Sequence, residues 1–593
     1  MPPRGAARFI WKPGTVNDRL ASLLPQPVSV RPRPGSLALG ARVPVTAGPG
    51  AAMAAAAVRR ALASWPWPDD PGPSRPDDHP GGPPGGPPGP EITVEIDPAR
   101  PAEGYRLDIG PERIQIAAGA AAGAFYATQT LRQLLPDAAW RAAPVPGVAW
   151  AVPCAEISDA PALAWRGAHL DVARHFFPKR ELLTLIDSLA AVKLNRLHLH
   201  LTDDQGWRVE SRAYPALHEI GSHRPRTRIS LSRERPAVYD ETPHGGYYTL
   251  DDLAEIAAYA AQRMVTVVPE IDVPGHATAL LAAVPELGAG TGGPLHVAAD
   301  WGIIPHLISP LPETKRFLGV LFSELLGAIP TGYVHIGGDE CVLDSWRADP
   351  RVDAYRLDLG LASAEEQHAH FLRETADLLA ERFGVRAVVW DEGFASGSGA
   401  PRGRLRPDTV VMAWRGMDIA RRAAEAGHEV IASPVFPTYF DYYQADDDRE
   451  PVAIGGPVRA QDVAAFSPVP AGWPAAAAER LIGTQFQVWT EYIRDGRALE
   501  YMVFPRACAF AEVAWTGGPA TWSGAPGSAE GTGSPLRDRL AAHERRLDAA
   551  GVEYRPLDGP RPWQQGGTGP RRHRAGYRVA EVVAHLDGLA APP

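Results

Sequence analysis

The chain is predicted to be α/β, a (β/α)8 barrel preceded by a small α+β domain. Three observations predict it. From Pro161 to about residue 555, short apolar runs of strand length alternate with stretches of helical periodicity. Eight such strand-like runs can be counted, the number that closes a parallel barrel. Before residue 155 the pattern is different: two alternating runs joined by a turn lead into one amphipathic helix.

In the leading segment, Tyr105, Leu107 and Ile109 alternate, Gly110-Pro111 turns the chain, and Ile114 and Ile116 alternate again, which reads as a hairpin. Ala124, Ala127, Leu131 and Leu134 then recur at helical spacing. Strands with a packed helix make residues 1–155 a small α+β domain. Its residues 68–90 are a low-complexity Pro/Gly stretch, expected to be a disordered loop. The barrel is placed over 160–558. Its strands are expected at 167–172, 196–201, 265–271, 333–337, 387–391, 410–414, 429–433 and 482–489. Helices are expected at 179–192, 250–263, 312–326, 365–383 and 418–426. Residues 559–593 form a Pro/Gly/Arg-rich tail of unread role.

Composition narrows the function. A chain of 593 residues suits one large barrel plus a smaller domain. Its net charge of -10 is dispersed and argues against nucleic acid as a partner. Cys154, Cys341 and Cys508 are too far apart in sequence to suggest a disulfide framework or a metal cluster. The first twenty residues hold no apolar core of signal-peptide length, and the Ala-rich run 51–63 is short and broken by Arg59 and Arg60. A cytoplasmic protein with no membrane partner is therefore expected.

The chemistry-bearing residues fall at the expected strand ends. The fourth strand ends in His335-Ile336-Gly337-Gly338-Asp339-Glu340, two carboxylates delivered by a glycine turn. The first ends in Asp171-Val172-Ala173-Arg174-His175, the second runs from His198 to Trp207, and the third gives Pro269-Glu270-Ile271-Asp272-Val273-Pro274-Gly275-His276. Later ends give Trp390-Asp391-Glu392, Trp414-Arg415, Tyr439-Phe440-Asp441 and Trp489-Thr490-Glu491. Indole faces stack on pyranose C–H faces, and carboxylates and arginine bond hydroxyls, so this set fits binding and cleaving a sugar. Adjacent acids such as Asp339 and Glu340 point in different directions. They are poorly placed to flank an anomeric carbon as acid and nucleophile, so one of them could handle a substrate group instead.

These motifs, with Arg166-Gly167 before the first and Phe504-Pro505-Arg506 through Glu512 after the last, resemble the β-N-acetylhexosaminidases of glycoside hydrolase family 20. The resemblance runs through the barrel, and the leading domain resembles the small domain that precedes it in that family. It implies an exo-acting, retaining, substrate-assisted hydrolase acting on oligosaccharides or glycoconjugates that end in N-acetylhexosamine, such as chitooligosaccharides. No cofactor and no metal are implied. Glu340 is implied as general acid and base, and Asp339 as the group that orients the 2-acetamido nucleophile. Tyr439 is implied as the donor to that group's oxygen, and Trp390, Trp414 and Trp489 as pocket walls. Arg166, Asp441 and Glu491 are implied to hold the terminal sugar's hydroxyls, with Asp203, rather than Asp204, Asp272 and His276 as a supporting network. One departure from the family's pattern stands out: Ile454-Gly455-Gly456 occupies the place where the family commonly has a further pocket Trp, for which Trp473 could substitute from a loop.

Two other classes compete. The His198-x-His200 pair would suit a metal-dependent barrel hydrolase, but further His and Asp ligands are needed, and the later strands offer Trp and Glu. A non-catalytic sugar-binding barrel would be expected to lack the acid, and Glu340 is present.

Overall fold

The computed structural model describes residues 18–40, 43–67, 90–232, 235–290, 293–395, 404–523 and 534–565. The Pro/Gly stretch expected over 68–90 lies outside the described residues except for Pro90, and so does the tail beyond Gln565. Two compact units are present. One comprises residues 1–160 with 523–551, and the other 161–522 with 552–593.

The first unit is built on a six-stranded sheet in the order Ser29–Ala38, Ala151–Asp159, Tyr105–Ile109, Arg113–Ala118, Glu91–Ile96 and Val45–Ala47. The hairpin expected from the alternating runs is there, with Leu107 opposite Ile116. Helices Ala52–Ala63 and Ala121–Leu134 pack on each other, and the second buries Ala124, Ala127, Leu131 and Leu134, the positions its periodicity marked. One boundary needs correction. Helix Leu536–Ala550, assigned by sequence to the barrel domain, belongs to this first unit. It buries Leu536, Leu540 and Leu547, while Arg539 donates to the Leu23 carbonyl (3.2 Å) and Arg546 to Ser22 Oγ (2.9 Å). Sequence separation concealed that pairing.

The second unit is a closed barrel of eight parallel strands: Trp165–Asp171, Arg196–His200, Thr266–Glu270, Tyr333–His335, Arg386–Trp390, Val410–Ala413, Val430–Ala432 and Leu481–Phe486. They are called here the first to eighth barrel strands. All eight sit within the runs the sequence marked or a residue or two beyond them. Their interior is packed by Trp165, Val268, Val388, Trp390, Val410, Met412 and Ile431. Helix starts follow local chemistry. Thr249 and Asp252 form a reciprocal cap on Leu250–Ala261, and Ser363 caps Ala364–Phe383, which ends on Gly384 at φ +68°. Among the described residues, no helix is long and apolar enough to cross a membrane.

Candidate active site

The fourth barrel strand is only three residues long, and its extension makes the site possible. Gly337 and Gly338 follow at φ +65° and +96°, and a Cβ on Gly337 would fall 1.6 Å from Asp272 Oδ1. Only glycine allows that approach. The Gly338 N–H then donates to the same Asp272 oxygen (3.2 Å), locking the turn to the end of the third strand. The turn delivers two unlike acids. Asp339 is 7% exposed, whereas Glu340, itself at φ +50°, opens to solvent with a side chain 34% exposed.

Asp339 lies in a crowded electrostatic environment. Burial, with Asp272, Glu340 and Glu270 nearby, pushes its carboxyl well above the usual carboxylate range, and His276 pulls it back in part. His276 stands between the acid pair and the second strand. Its Nε2 is 3.5 Å from Glu340 Oε2 and 3.6 Å from Asp339 Oδ2, and its Nδ1 is 3.2 Å from Asp203 Oδ1. Burial alone would lower its pKa, but Asp203, Asp204 and Glu340 outweigh that and raise it. Asp203 is the hub of the pair Asp203-Asp204. It meets His200 Nε2 at 2.7 Å and Arg174 Nη1 at 2.8 Å, whereas Asp204 accepts from Thr278 and fixes that loop.

Beneath the acids, one carboxylate gathers the barrel's imidazoles. Glu270 Oε2 lies 2.5 Å from His200 Nδ1 and 3.0 Å from His198 Nε2; Oε1 lies 2.8 Å from His335 Nδ1 and accepts from Trp390 Nε1 at 3.0 Å. Sequence reasoning found Trp and Glu, rather than further His and Asp, on the strands after the His-x-His pair. The fold supplies Glu270 and His335 there, and His169 close by. A tetrahedral zinc site holds such donors about 2.0–2.2 Å from the ion, hence about 3.4 Å from one another. The 2.5 Å contact between Glu270 and His200 is instead the length of a hydrogen bond, and His335 Nδ1 accepts from the Gly337 N–H at 3.0 Å.

The aromatic residues expected as pocket walls lie against one another, and Tyr439 is close enough to Asp339 to interact with it. Tyr439 stacks near Trp414 (centroids 6.4 Å, 28°) and lies 6.5 Å from Trp489, which is 6.0 Å from Trp390. Trp390 is 1% exposed and lies low in the group, while Trp414 and Trp489 are half-buried. Trp414 donates its indole N–H to Glu392 Oε2 at 2.8 Å. Asp391 is fully committed: one oxygen accepts from the backbone N–H groups of Trp414 and Arg415, and the other from the Arg415 side chain.

One expected site residue is elsewhere. Arg166 lies near the N-terminal end of the first strand, so its side chain sits at the closed base of the barrel. There it donates to the carbonyls of Lys193 (3.0 Å) and Leu163 (2.8 Å) and packs over Trp515. The arginine at the mouth is Arg174. It packs over Trp489, contacts Asp203, lies 3.6 Å from Asp171, and interacts electrostatically with Glu491. It was visible in the motif Asp171–His175, and the deciding signal was strand polarity: functional groups follow a barrel strand rather than open it. Asp441 and Glu491 are at the mouth beside it. Burial raises both carboxyls, each lifted further by an acidic neighbour, although Arg174 draws Glu491 down. Asp441 Oδ1 is buried with no hydrogen-bond partner.

Loop residues around this group bond to one another. Gln205 accepts from Arg174 and donates to the Asp300 carbonyl; the Tyr492 hydroxyl donates to the Ser230 carbonyl, and Arg494 pairs with Asp240. Trp473 does not fill the gap at Ile454. It packs against the cluster of Leu163, Ala432, Phe466, Leu481 and Val513.

The comparisons agree with this geometry. A family model described as glycosyl hydrolase family 20, catalytic domain, matches residues 163–518, and that family's domain 2 matches residues 21–160. A beta-hexosaminidase of Porphyromonas gingivalis is 37% identical over 429 residues, 72% of this chain but 52% of its own, so the chain spans about half the length of that relative. A beta-N-acetylhexosaminidase of Cellulomonas fimi is 35% identical over 70% of this chain and 74% of its own. Among solved structures, the Streptomyces plicatus N-acetyl-beta-hexosaminidase in complex with Thio-NAglucal superposes with a TM-score of 0.71 at 29% identity, covering 91% of this chain and 98% of that one. A Vibrio harveyi exo beta-N-acetylglucosaminidase in complex with N-acetylglucosamine gives 0.71 at 28% identity, covering 91% and 78%.

Proposed function

Because the chain belongs to glycosyl hydrolase family 20, we propose that it removes β-linked N-acetylhexosamine from non-reducing ends, with retention, using the substrate's own acetamido oxygen as nucleophile. The observation that carries this reading is the asymmetry of Asp339 and Glu340. One acid is open to solvent beside His276, placed to protonate a leaving oxygen. The other is buried and close enough to Tyr439 to interact with it, and Tyr439 in turn lies against Trp414 and Trp489. A conventional retaining pair would need a second free carboxylate about 5–5.5 Å from the acid. Asp391, the other candidate, has both oxygens occupied by Trp414 and Arg415.

In this mechanism Glu340 gives its proton to the glycosidic oxygen and later takes one from water. Asp339 accepts the acetamido N–H and Tyr439 donates to the acetamido oxygen as it closes on the anomeric carbon. The environment that raises Asp339 has a catalytic use. An ionised carboxylate is costly there until positive charge develops on the acetamido group, so its attraction is greatest in the transition state. Arg174, Asp441 and Glu491 would hold the terminal sugar's hydroxyls, as release of a non-reducing terminal sugar requires.

The test compares aryl 2-acetamido and 2-hydroxy glycosides, with proton NMR of the first product and end-analysis of chitin oligomers. Strong preference for the acetamido substrate, a β-anomer and release of terminal sugar are expected. Comparable cleavage of the 2-hydroxy glycoside, an α-anomer or internal cuts would overturn the reading.

A further inference from the structure

Each indole of the aromatic group has its N–H directed to a partner, but the partners differ in kind. Trp390 donates to Glu270, deep in the barrel, and Trp489 is paired with Tyr439. Trp414 donates to Glu392, the first residue after the fifth strand's Trp390-Asp391 and the start of the short helix Glu392–Ala395. The Glu392 side chain is 16% exposed, and its other close neighbour is Arg415 Nε at 3.8 Å. A carboxyl so enclosed is costly to keep with one indole N–H and a distant guanidinium as its partners. The adjacent Asp391 already fixes the backbone of Trp414, so the structural need to tether this loop is met without Glu392. What Glu392 adds is control of the ring.

We propose that Glu392 is a positioning residue whose hydrogen bond to Trp414 Nε1 sets the plane of that indole and so the size of the N-acyl group the pocket accepts. The inference rests on the substrate-assisted reading above. Trp414 is half-buried and stacks toward Tyr439 at 28°, so turning its ring about the side-chain bonds would widen the space facing the acetamido methyl. The Glu392 oxygen acts as a stop that the buried Trp390 does not need. Its location beside Asp339 places the stop on the reacting side of the group, since the two carboxyls are close enough to interact.

The experiment measures kcat/KM of the full chain for aryl N-acetyl- and N-butyryl-glucosaminides. In E392A, and in the near-isosteric E392M if alanine unfolds the barrel, the acetyl-to-butyryl preference should fall about 5- to 10-fold, the scale of one lost side-chain hydrogen bond. Glu392→Gln keeps an acceptor oxygen and should hold the preference within about twofold of wild type. W414F removes the N–H and should relax the preference alike, and adding E392A to it should change the ratio no further. A uniform fall in both substrates at constant ratio would reduce Glu392 to a structural residue and overturn the proposal. So would additive effects in the double variant. Failure of wild type to prefer the acetamido over the 2-hydroxy glycoside would instead overturn the functional reading, and the two failures are separable.

Discussion

Arg166 and Arg174 are eight residues apart on one strand and its extension, both buried, and the barrel puts them to opposite uses. At the base, the Arg166 guanidinium donates to main-chain carbonyls and packs on Trp515. At the mouth, Arg174 faces carboxylates, and its 2.8 Å contact to Asp203 is off the hydrogen-bonding direction, so that Nη1 has hydrogen-bonding capacity left for a sugar hydroxyl. Burial would lower its pKa, and Asp203, Asp171 and Glu491 more than reverse that. These Arg166 contacts are all made to main chain and a ring within the protein, whereas Arg174 keeps Nη1 without a hydrogen bond. The same contrast separates Asp391, whose oxygens are all engaged, from Asp441, with one buried oxygen unpartnered.

The largest effect expected of a mouth residue is from Glu340→Gln. General acid catalysis contributes about 10²–10⁴-fold, so kcat on poor leaving groups should fall by that order while activated aryl glycosides lose less. Thermal stability should hardly move, because the side chain is a third exposed. Equal losses on both substrate types would break the assignment of Glu340 to the scissile oxygen.

Asp339→Asn comes next. It keeps the shape and loses the charge that is costly in the empty pocket and useful in the transition state, so a loss of roughly 2–4 kcal/mol in transition-state stabilisation is expected. On a 2-hydroxy glycoside the same change should matter little, since residues acting through one group are non-additive. Its pH profile is also diagnostic. Wild-type kcat/KM should fall on the acid side at a pH above the usual carboxylate range, because Asp339 must be ionised and its pKa is raised. The variant should lose that limb.

How much of this could be read in advance follows from what each feature depends on. The eight strands were legible because buried parallel strands are continuous apolar runs, such as Val410–Ala413, regardless of their partners. The acid pair was legible because the close approach to Asp272 admits no residue but glycine at 337, which left a Gly-Gly signature. The helix Leu536–Ala550 was misassigned because its partners, Leu23 and Ser22, are over five hundred residues away in sequence. Arg166 was assigned from the resemblance, although strand direction, readable in the sequence, favours Arg174 at the strand's end, and the Glu270–imidazole group was missed because it draws one or two residues from each of three strands.

The comparison of base and mouth is sharpened by paired substitutions. Arg174→Met should reduce kcat/KM by about 10- to 100-fold, as expected for losing a hydrogen bond to a charged group. Arg166→Met should leave kcat/KM of the folded enzyme within about threefold and instead cost on the order of 2–4 kcal/mol of stability, by leaving buried carbonyls unpaired. Denaturant unfolding and kinetics on the same samples check both. An Arg166 variant that folds normally but loses substrate binding would reverse the assignment.

The smallest effect expected is a pH dependence. Asp272 is buried at the mouth, with one oxygen holding the Gly338 N–H and the other unpartnered. Burial pushes its pKa up from 3.8 to about 7; His276 opposes the rise and Glu270 adds to it. A carboxyl raised on folding contributes stability that is fully present below its unfolded pKa and lost as pH rises through the folded one. Between about pH 4 and 7 the unfolded chain gives up this proton while the folded protein keeps it, so stability falls with pH across that window. Asp339, Asp441 and Glu491 are raised too and add decline of the same sign. Asp272→Asn keeps an acceptor for Gly338 and cannot ionise, so its stability should fall less than wild type between about pH 5 and pH 8. Denaturant unfolding at the two pH values measures the difference. At the base, Arg166→Met removes no group that titrates in this window and should shift the whole curve without changing its slope. If Asp272→Asn declines as steeply as wild type, Asp272 is already ionised in the folded state, and the mouth is less proton-rich than its buried carboxyls imply.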